Sequence, residues 1–319
     1  MSILVTGGAG FVGSHLVEAL VRSGHNRVVA LDNFNDYYDP RLKRANAAAL
    51  AAHSQVAVVE GDCRDAPLVG GLLVKHSVRA ICHLSASPGV PVSLEKPLET
   101  TENNVMGTLK LLEAAREHPV ERFLFASSST VYGRGAAAPF VEDAPLGIPA
   151  SPYGASKRAG ELMGLTYWQL HNVPFVSLRF FNVYGPRLRP ELALAVFTRK
   201  ILEGLPLPLF GDGSVLRDFT HVSDICRGII TALSADGVVG QSLNLGNDRP
   251  ITIGRLIELI EQAAGKKATI DVRPPRSEDM PFTHASLDKS RRLLGYSPTI
   301  PIEQGVAEYV EWMRGTLSQ

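Results

Sequence analysis

No charge imbalance pulls this chain toward a charged partner. Its 319 residues hold 32 basic and 32 acidic side chains, so no net field favours nucleic acid or an anionic membrane. Cysteine is scarce: Cys63, Cys82 and Cys226 are widely spaced and odd in number. That pattern excludes a disulfide framework and a cysteine-based metal cluster, leaves no metal site to propose, and fits a reducing cytoplasm. No run approaches the roughly 20 apolar residues of a membrane-spanning helix. Residue 1 leads into a strand-like segment without a basic, export-type leader. Repeats, low-complexity tracts and disordered linkers are missing too. What remains is an ordinary soluble composition, long enough for one large or two closely joined domains.

What is present begins with glycine. Ile3-Leu-Val-Thr6 reads as a buried strand, Gly7-Gly-Ala-Gly-Phe-Val-Gly13 follows, and an amphipathic helix runs to about Arg22. Glycines 8, 10 and 13 fit G-x-G-x-x-G, while 7, 10 and 13 fit the G-x-x-G-x-x-G variant. Between a strand and a helix, such glycines make a tight turn and let backbone approach a pyrophosphate. Gly7, Gly10, Phe11, Val12 and Gly13 are therefore candidate dinucleotide contacts. A second strand, 27–31, ends in Asp32. A carboxylate there accepts from a ribose 2′-hydroxyl and repels a 2′-phosphate, which selects NAD over NADP. Asn33 beside it is a further candidate.

Strand–helix pairs continue at 55–60 with 66–75 and at 78–84 with 99–117, followed by a strand at 122–126. Alternation of this kind predicts an α/β fold, a Rossmann-type doubly wound parallel sheet, over residues 1–180. Ligands in such sheets lie beyond the carboxyl ends of the strands. Asp62 follows the third strand and could accept from an adenine amino group. Leu84, Ser85 and Ala86 follow the fourth, the last two small enough for close cofactor approach. Asn104, inside the long helix, is expected to reach the same crevice. After a sixth strand, 173–179, Pro186, Pro190, Pro206 and Pro208 break the pattern. A smaller, mixed α/β substrate domain is expected there, over 181–319, with returns to the sheet near 215–250. Helices are predicted at 222–233, at 253–264 behind Thr252 as a cap, and at 303–314.

The fifth strand runs into Ser127-Ser-Ser-Thr-Val-Tyr-Gly133, and downstream stands Ser151-Pro-Tyr-Gly-Ala-Ser-Lys157. Ser151 can cap a helix and Pro152 suits its first position. Tyr153 and Lys157, four apart, then share one face. A phenol titrates near ~10 unperturbed. A neighbouring ammonium, helped by a cationic nicotinamide, favours the phenolate and makes it a usable base. Hydroxyls at a strand's carboxyl end can bind a carbinol oxygen and relay its proton to that tyrosine. Taken singly, these residues are equally a surface aromatic, a solvated charge and turn-forming hydroxyls. Their order along one chain favours chemistry.

Together, residues 7–13, Asp32, 127–130 and the Tyr153/Lys157 pair resemble the extended short-chain dehydrogenase/reductases, the NAD-dependent sugar-nucleotide epimerases and dehydratases. The likeness covers essentially the whole chain. It implies NAD as cofactor, Tyr153 as base, Lys157 as its assistant, and Ser128 as relay hydroxyl with Thr130 as second candidate. It further implies diphosphate contacts from Asn182 in Phe181-Asn-Val-Tyr-Gly-Pro186, from Arg217, and from Arg276 in Arg276-Ser-Glu-Asp279, where Asp279 is also a candidate. Arginine's planar fork matches phosphate oxygens in paired hydrogen bonds. Dehydratases of this group carry an Asp-Glu pair where this chain has Ser129 and Thr130, so loss of water is unsupported.

The segments 32–43 and 184–191 resemble UDP-glucuronate 4-epimerases, a likeness that implies a substrate-carboxylate contact for Arg189. The expected activity is that of an isomerase, turning UDP-glucuronate into UDP-galacturonate through transient oxidation at C4. The 4-keto sugar is a β-keto acid, and an arginine fork could hold its carboxylate out of alignment with the carbonyl π system. Asn182 and Pro91, where those enzymes have threonine and arginine, keep UDP-glucose or UDP-N-acetylglucosamine open as substrates. A UDP-glucuronate decarboxylase is disfavoured, since residues 151–155 lack its acidic Tyr-Asp-Glu sequence. A catalytically silent NAD-binding scaffold would need only the glycine turn. Helices 99–117 and 152–171 are apolar on more than one side. In the family they pair as a four-helix bundle, so a homodimer is expected.

Overall fold

The computed structural model describes residues 1–275, 280 and 282–317. Arg276 and Asp279, both named above, lie outside the described residues. The central sheet has seven parallel strands: β1 Ser2–Thr6, β2 Arg27–Asp32, β3 Val56–Glu60, β4 Ala80–His83, β5 Arg122–Ser128, β6 Phe175–Phe180 and β7 Ser242–Leu245. Their spatial order is β7-β6-β5-β4-β1-β2-β3. The chain steps outward from β1 to β3, returns beside β1 as β4, and steps outward the other way. Thr6 pairs with Leu31 on one side and with His83 on the other. The reversal therefore falls between β1 and β4, where such sheets open a crevice.

A parallel sheet covered on both faces needs strands apolar on both. β1 meets this by alternation: Ile3 and Val5 join one core cluster, and Leu4 joins the other. Helix Pro152–His171 packs against β5 and β6 at unusually short range. A Cβ on Gly164 would lie 2.1 Å from the Phe175 ring, so only glycine lets the helix approach this closely.

The helix predicted at 99–117 is interrupted. Helix Pro97–Thr101 passes through a π-helical turn, Glu102–Met106, into helix Gly107–Glu117. The wide turn coincides with side-chain bonds at Asn104: its amide engages the Ser87 backbone and donates to Ser156 Oγ at 2.9 Å, and Thr108 Oγ1 takes its carbonyl at 2.6 Å. β5 runs two residues past its expected end, which carries Ser127 and Ser128 to the rim of the sheet. Helix Pro40–Ala51, capped by the Asp39 carboxylate, and helix Ala193–Glu203 were not expected. Short strand pairs join Leu207–Phe210 with Ile270–Arg273 and Leu216–Arg217 with Ile251–Thr252. Helices Val222–Ala232, Ile253–Ala264 and Ile302–Leu317 follow the expected pattern, and Thr252 caps the second through the Arg255 N–H.

Candidate active site

A cavity of about 430 Å³ opens at the carboxyl ends of β1, β2, β4 and β5. Its floor is the glycine turn. Gly7 adopts φ +67°, and a Cβ on Gly13 would lie 2.0 Å from the Gly7 carbonyl oxygen. Helix Phe11–Arg22 begins there with no side-chain cap at Gly10. The N–H groups of Phe11, Val12 and Gly13 thus start the helix beside the cavity, a cradle suited to a pyrophosphate. Asp32 lines the same space and accepts from the N–H groups of Ala9 (3.2 Å) and Phe34 (2.9 Å). Those bonds aim the carboxylate and leave it lone pairs for a ribose hydroxyl. Asn33, Leu84, Ser85 and Ala86 also face the cavity.

Two expected cofactor contacts are not among the residues lining the cavity. Asp62 is off the cavity lining, paired with Arg64 at 2.7 Å and touched by Asn33. Asn104 is buried behind the lining, its amide committed to Ser87 and Ser156. Asn104 lies within the π turn Glu102–Met106.

The catalytic candidates do converge. Ser128 Oγ accepts from the Thr130 N–H (3.2 Å) and from Thr130 Oγ1 (3.0 Å), and it bonds the Tyr153 side chain. Lys157 is buried, donates to the Ala126 carbonyl at 2.7 Å, and stands 5.9 Å from the Tyr153 ring. Burial pushes the Tyr153 phenol up, against the Arg189 charge and the Ser128 bond, which pull it down. Burial also pushes Lys157 down, to about 7, although the Glu161 charge pulls the other way. Lys157, helped by a cationic nicotinamide, is expected to favour the phenolate; in the protein by itself burial outweighs the charges at Tyr153. Among the described residues, Arg189 is the cation whose charge pulls the Tyr153 phenol down.

Arg189 reaches the cavity with its guanidinium 5.7 Å over the Tyr37 ring and Nη1 2.8 Å from Glu191 Oε1. Asn182 and Arg217 line the cavity as well. The Asn182 amide donates to the Asp218 carbonyl and to Thr283 Oγ1, so only its oxygen is left to face a ligand.

Sequence reasoning missed Tyr37, Tyr38 and Lys43 as lining residues. Lys43 is buried, bonds Asn35 Oδ1 at 2.6 Å and stands 3.8 Å from Asp32. Tyr37 and Tyr38 fall within the stretch 32–43 singled out above.

The fold and this cavity define a dinucleotide-dependent enzyme of the doubly wound class. The chain belongs to the NAD-dependent epimerase/dehydratase family, whose pattern matches residues 3–246. It is 40% identical to UDP-glucuronate 4-epimerase 4 of Arabidopsis thaliana, over 98% of this chain and 75% of that one. UDP-glucuronate 4-epimerase of Thermodesulfobacterium geofontis is 36% identical, over 98% and 95% respectively. The crystal structure of UDP-glucuronic acid 4-epimerase from Bacillus cereus in complex with UDP-glucuronic acid and NAD matches with a TM-score of 0.94. Identity there is 35%, over 99% of this chain and 100% of that one.

Proposed function

We propose that this protein is an NAD-dependent isomerase that interconverts UDP-glucuronate and UDP-galacturonate at C4. One observation supports it above the others: Arg189 shares a cavity with Tyr153 and is near enough for its charge to act on the phenol. A carboxylate on the sugar ring can then meet arginine while a ring hydroxyl meets tyrosine.

In this reading the Phe11, Val12 and Gly13 N–H groups hold the pyrophosphate, and Asp32, with Lys43 close by, receives the adenosine ribose. NAD, when bound there, would supply the hydride acceptor and donor that oxidation and re-reduction at C4 require. Ser128, oriented by Thr130, binds the 4-hydroxyl and passes its proton to Tyr153. Lys157 adds positive charge beneath the phenol. Arg189 grips the carboxylate in a paired hydrogen bond and holds it away from the ketone's π system, which retains CO2. Asn182, Arg217, Arg276 and Asp279 are proposed around the diphosphate.

Purified protein given UDP-glucuronate should form UDP-galacturonate without added NAD. UDP-xylose as product would replace the reading with decarboxylation. Turnover confined to UDP-glucose or UDP-N-acetylglucosamine would make it a neutral-hexose epimerase. The free, buried cysteines support a reducing, cytoplasmic setting. A homodimer through helices Gly107–Glu117 and Pro152–His171 is part of the same proposal.

A further inference from the structure

Glu161 has no part in the chemistry just assigned, yet it is buried directly behind it. It stands one turn past Lys157 on helix Pro152–His171 and is 3% exposed. Its Oε1 accepts from Ser127 Oγ (2.5 Å), Ser177 Oγ (2.8 Å) and Arg179 Nε (2.9 Å), and its Oε2 from Arg179 Nη2 (2.8 Å). Every one of these bonds is donated to it, so the carboxyl acts as an acceptor only, which is its ionised form. Burying such a pair gives little net stability over an apolar pair of the same shape. Its larger consequence is what the anion does to its neighbours.

Two of those neighbours belong to the site. Ser127 joins Ala126, whose carbonyl receives Lys157 Nζ, to Ser128, the relay hydroxyl. Anchoring the Ser127 hydroxyl therefore fixes both ends of the constellation. Lys157 makes no ion pair within 4 Å among the described residues, and Glu161 is the anion whose field reaches it. The other ionisable groups around the pair do not supply that field. His83 on β4 is held neutral by burial, with its pKa near 3. Arg179 on β6 faces Glu161, stacks 4.9 Å over Tyr132 and donates to the Glu142 carbonyl. Tyr153, on the same helix, is a phenol in the free protein.

We propose that Glu161 is a positioning residue for the epimerisation: it keeps Lys157 cationic and pins the Ala126–Ser128 strand end beneath Tyr153. The proposal rests on the Tyr153–Lys157 reading above. Removing the anion makes the ammonium easier to deprotonate, so the alkaline limb of the kcat profile should move to lower pH.

The test is Glu161→Gln, read in two ways. The alkaline limb should fall by about one pH unit, the scale of an opposite charge at this range. The Lys157 midpoint should fall likewise in NAD-free protein carrying isotope-labelled lysine, followed by NMR and assigned by its loss in Lys157→Met. Because Glu161→Gln strands the Arg179 cation and can fail to fold, Glu161→Gln with Arg179→Met is made beside it and should show the same shifts. Ser177→Ala removes one bond and keeps the charge, so it should leave both midpoints in place. A uniform loss of kcat at every pH with an unmoved Lys157 midpoint would overturn the proposal. A Lys157 midpoint that falls in a protein turning over no UDP-sugar would instead sink the proposed reaction and leave the effect on Lys157 standing.

Discussion

Thr130 donates twice to Ser128, by its N–H and its hydroxyl. In the proposed reaction Tyr153 is the base that takes the proton of the sugar hydroxyl. Tyr153→Phe should abolish turnover while NAD remains bound, and undiminished turnover would remove Tyr153 as base. In the same proposal Arg189 is the residue that separates acid from neutral sugars. Arg189→Ala should raise KM for UDP-glucuronate at least tenfold, since a lost charge-assisted paired bond is worth about 1.5–3 kcal/mol. KM for UDP-glucose should barely move, and equal changes in both would argue against a carboxylate contact. His83 gives a prediction about stability. Its ring is buried between Thr6 Oγ1 (2.8 Å) and Thr108 Oγ1 (3.1 Å), and its pKa is lowered from 6.5 to about 3. The unfolded chain takes up a proton below about 6.5 that the folded one refuses. The stability His83 confers is therefore complete above that pH and drains away as pH falls toward 3, by at most ~1.4 kcal/mol per unit. His83→Gln should flatten the fall in Tm between pH 6 and 4; an unchanged slope would assign acid sensitivity to other groups.

Helix Pro152–His171 places Tyr153, Lys157 and Glu161 only because it lies so close to β5 and β6. At Gly164, helix propensity and packing disagree about alanine. Propensity alone says Gly→Ala stabilises by about 1 kcal/mol. The added Cβ would meet the Phe175 ring at 2.1 Å, and overpacking of this kind costs about 1–3 kcal/mol. Packing should win. Gly164→Ala should lower Tm and impair turnover, and adding Phe175→Leu should recover part of both; a Tm above the parent's would show that the ring simply swings aside. Elements also set how much was legible in advance. Strand, glycine turn, helix and Asp32 could be read because each is local, and their order is short-range chemistry. Lys43 could not, because helix Pro40–Ala51 is alanine-rich and shows no strong apolar stripe to reveal its inward face. Glu161 and Arg179 look like surface charges until β6 is set beside β5. The π turn at Glu102–Met106 was not legible either, because it leaves no mark in apolar spacing.

Helices Gly107–Glu117 and Pro152–His171 lie side by side, the Tyr167 phenol donating to Glu113 between them. Exposed apolar side chains lie on helix Pro152–His171 and on the segment that leads into Gly107–Glu117. Leu98 on the preceding short helix is 85% exposed, Leu170 69% and Leu162 59%, with Met106 and Met163 between. Scattered apolar exposure needs no partner, but here five such side chains sit on helix Pro152–His171 and on the adjoining segment 97–106. A second copy meeting this face about a twofold axis would cover it with the same residues, as isologous contacts require. A stable contact of that kind buries roughly 1,200–2,000 Å² in total, and two helices on each side can supply it. Light scattering after size exclusion should therefore give twice the 34.4 kDa chain mass. Leu162→Glu should shift the protein toward monomer, because a carboxylate buried against its own symmetry mate meets like charge and loses its water. The cavity and NAD binding lie on the other side of that helix, so the variant should keep its cofactor. A parent protein that elutes as a monomer at every concentration would leave these leucines as isolated exposed residues and end the argument for a bundle.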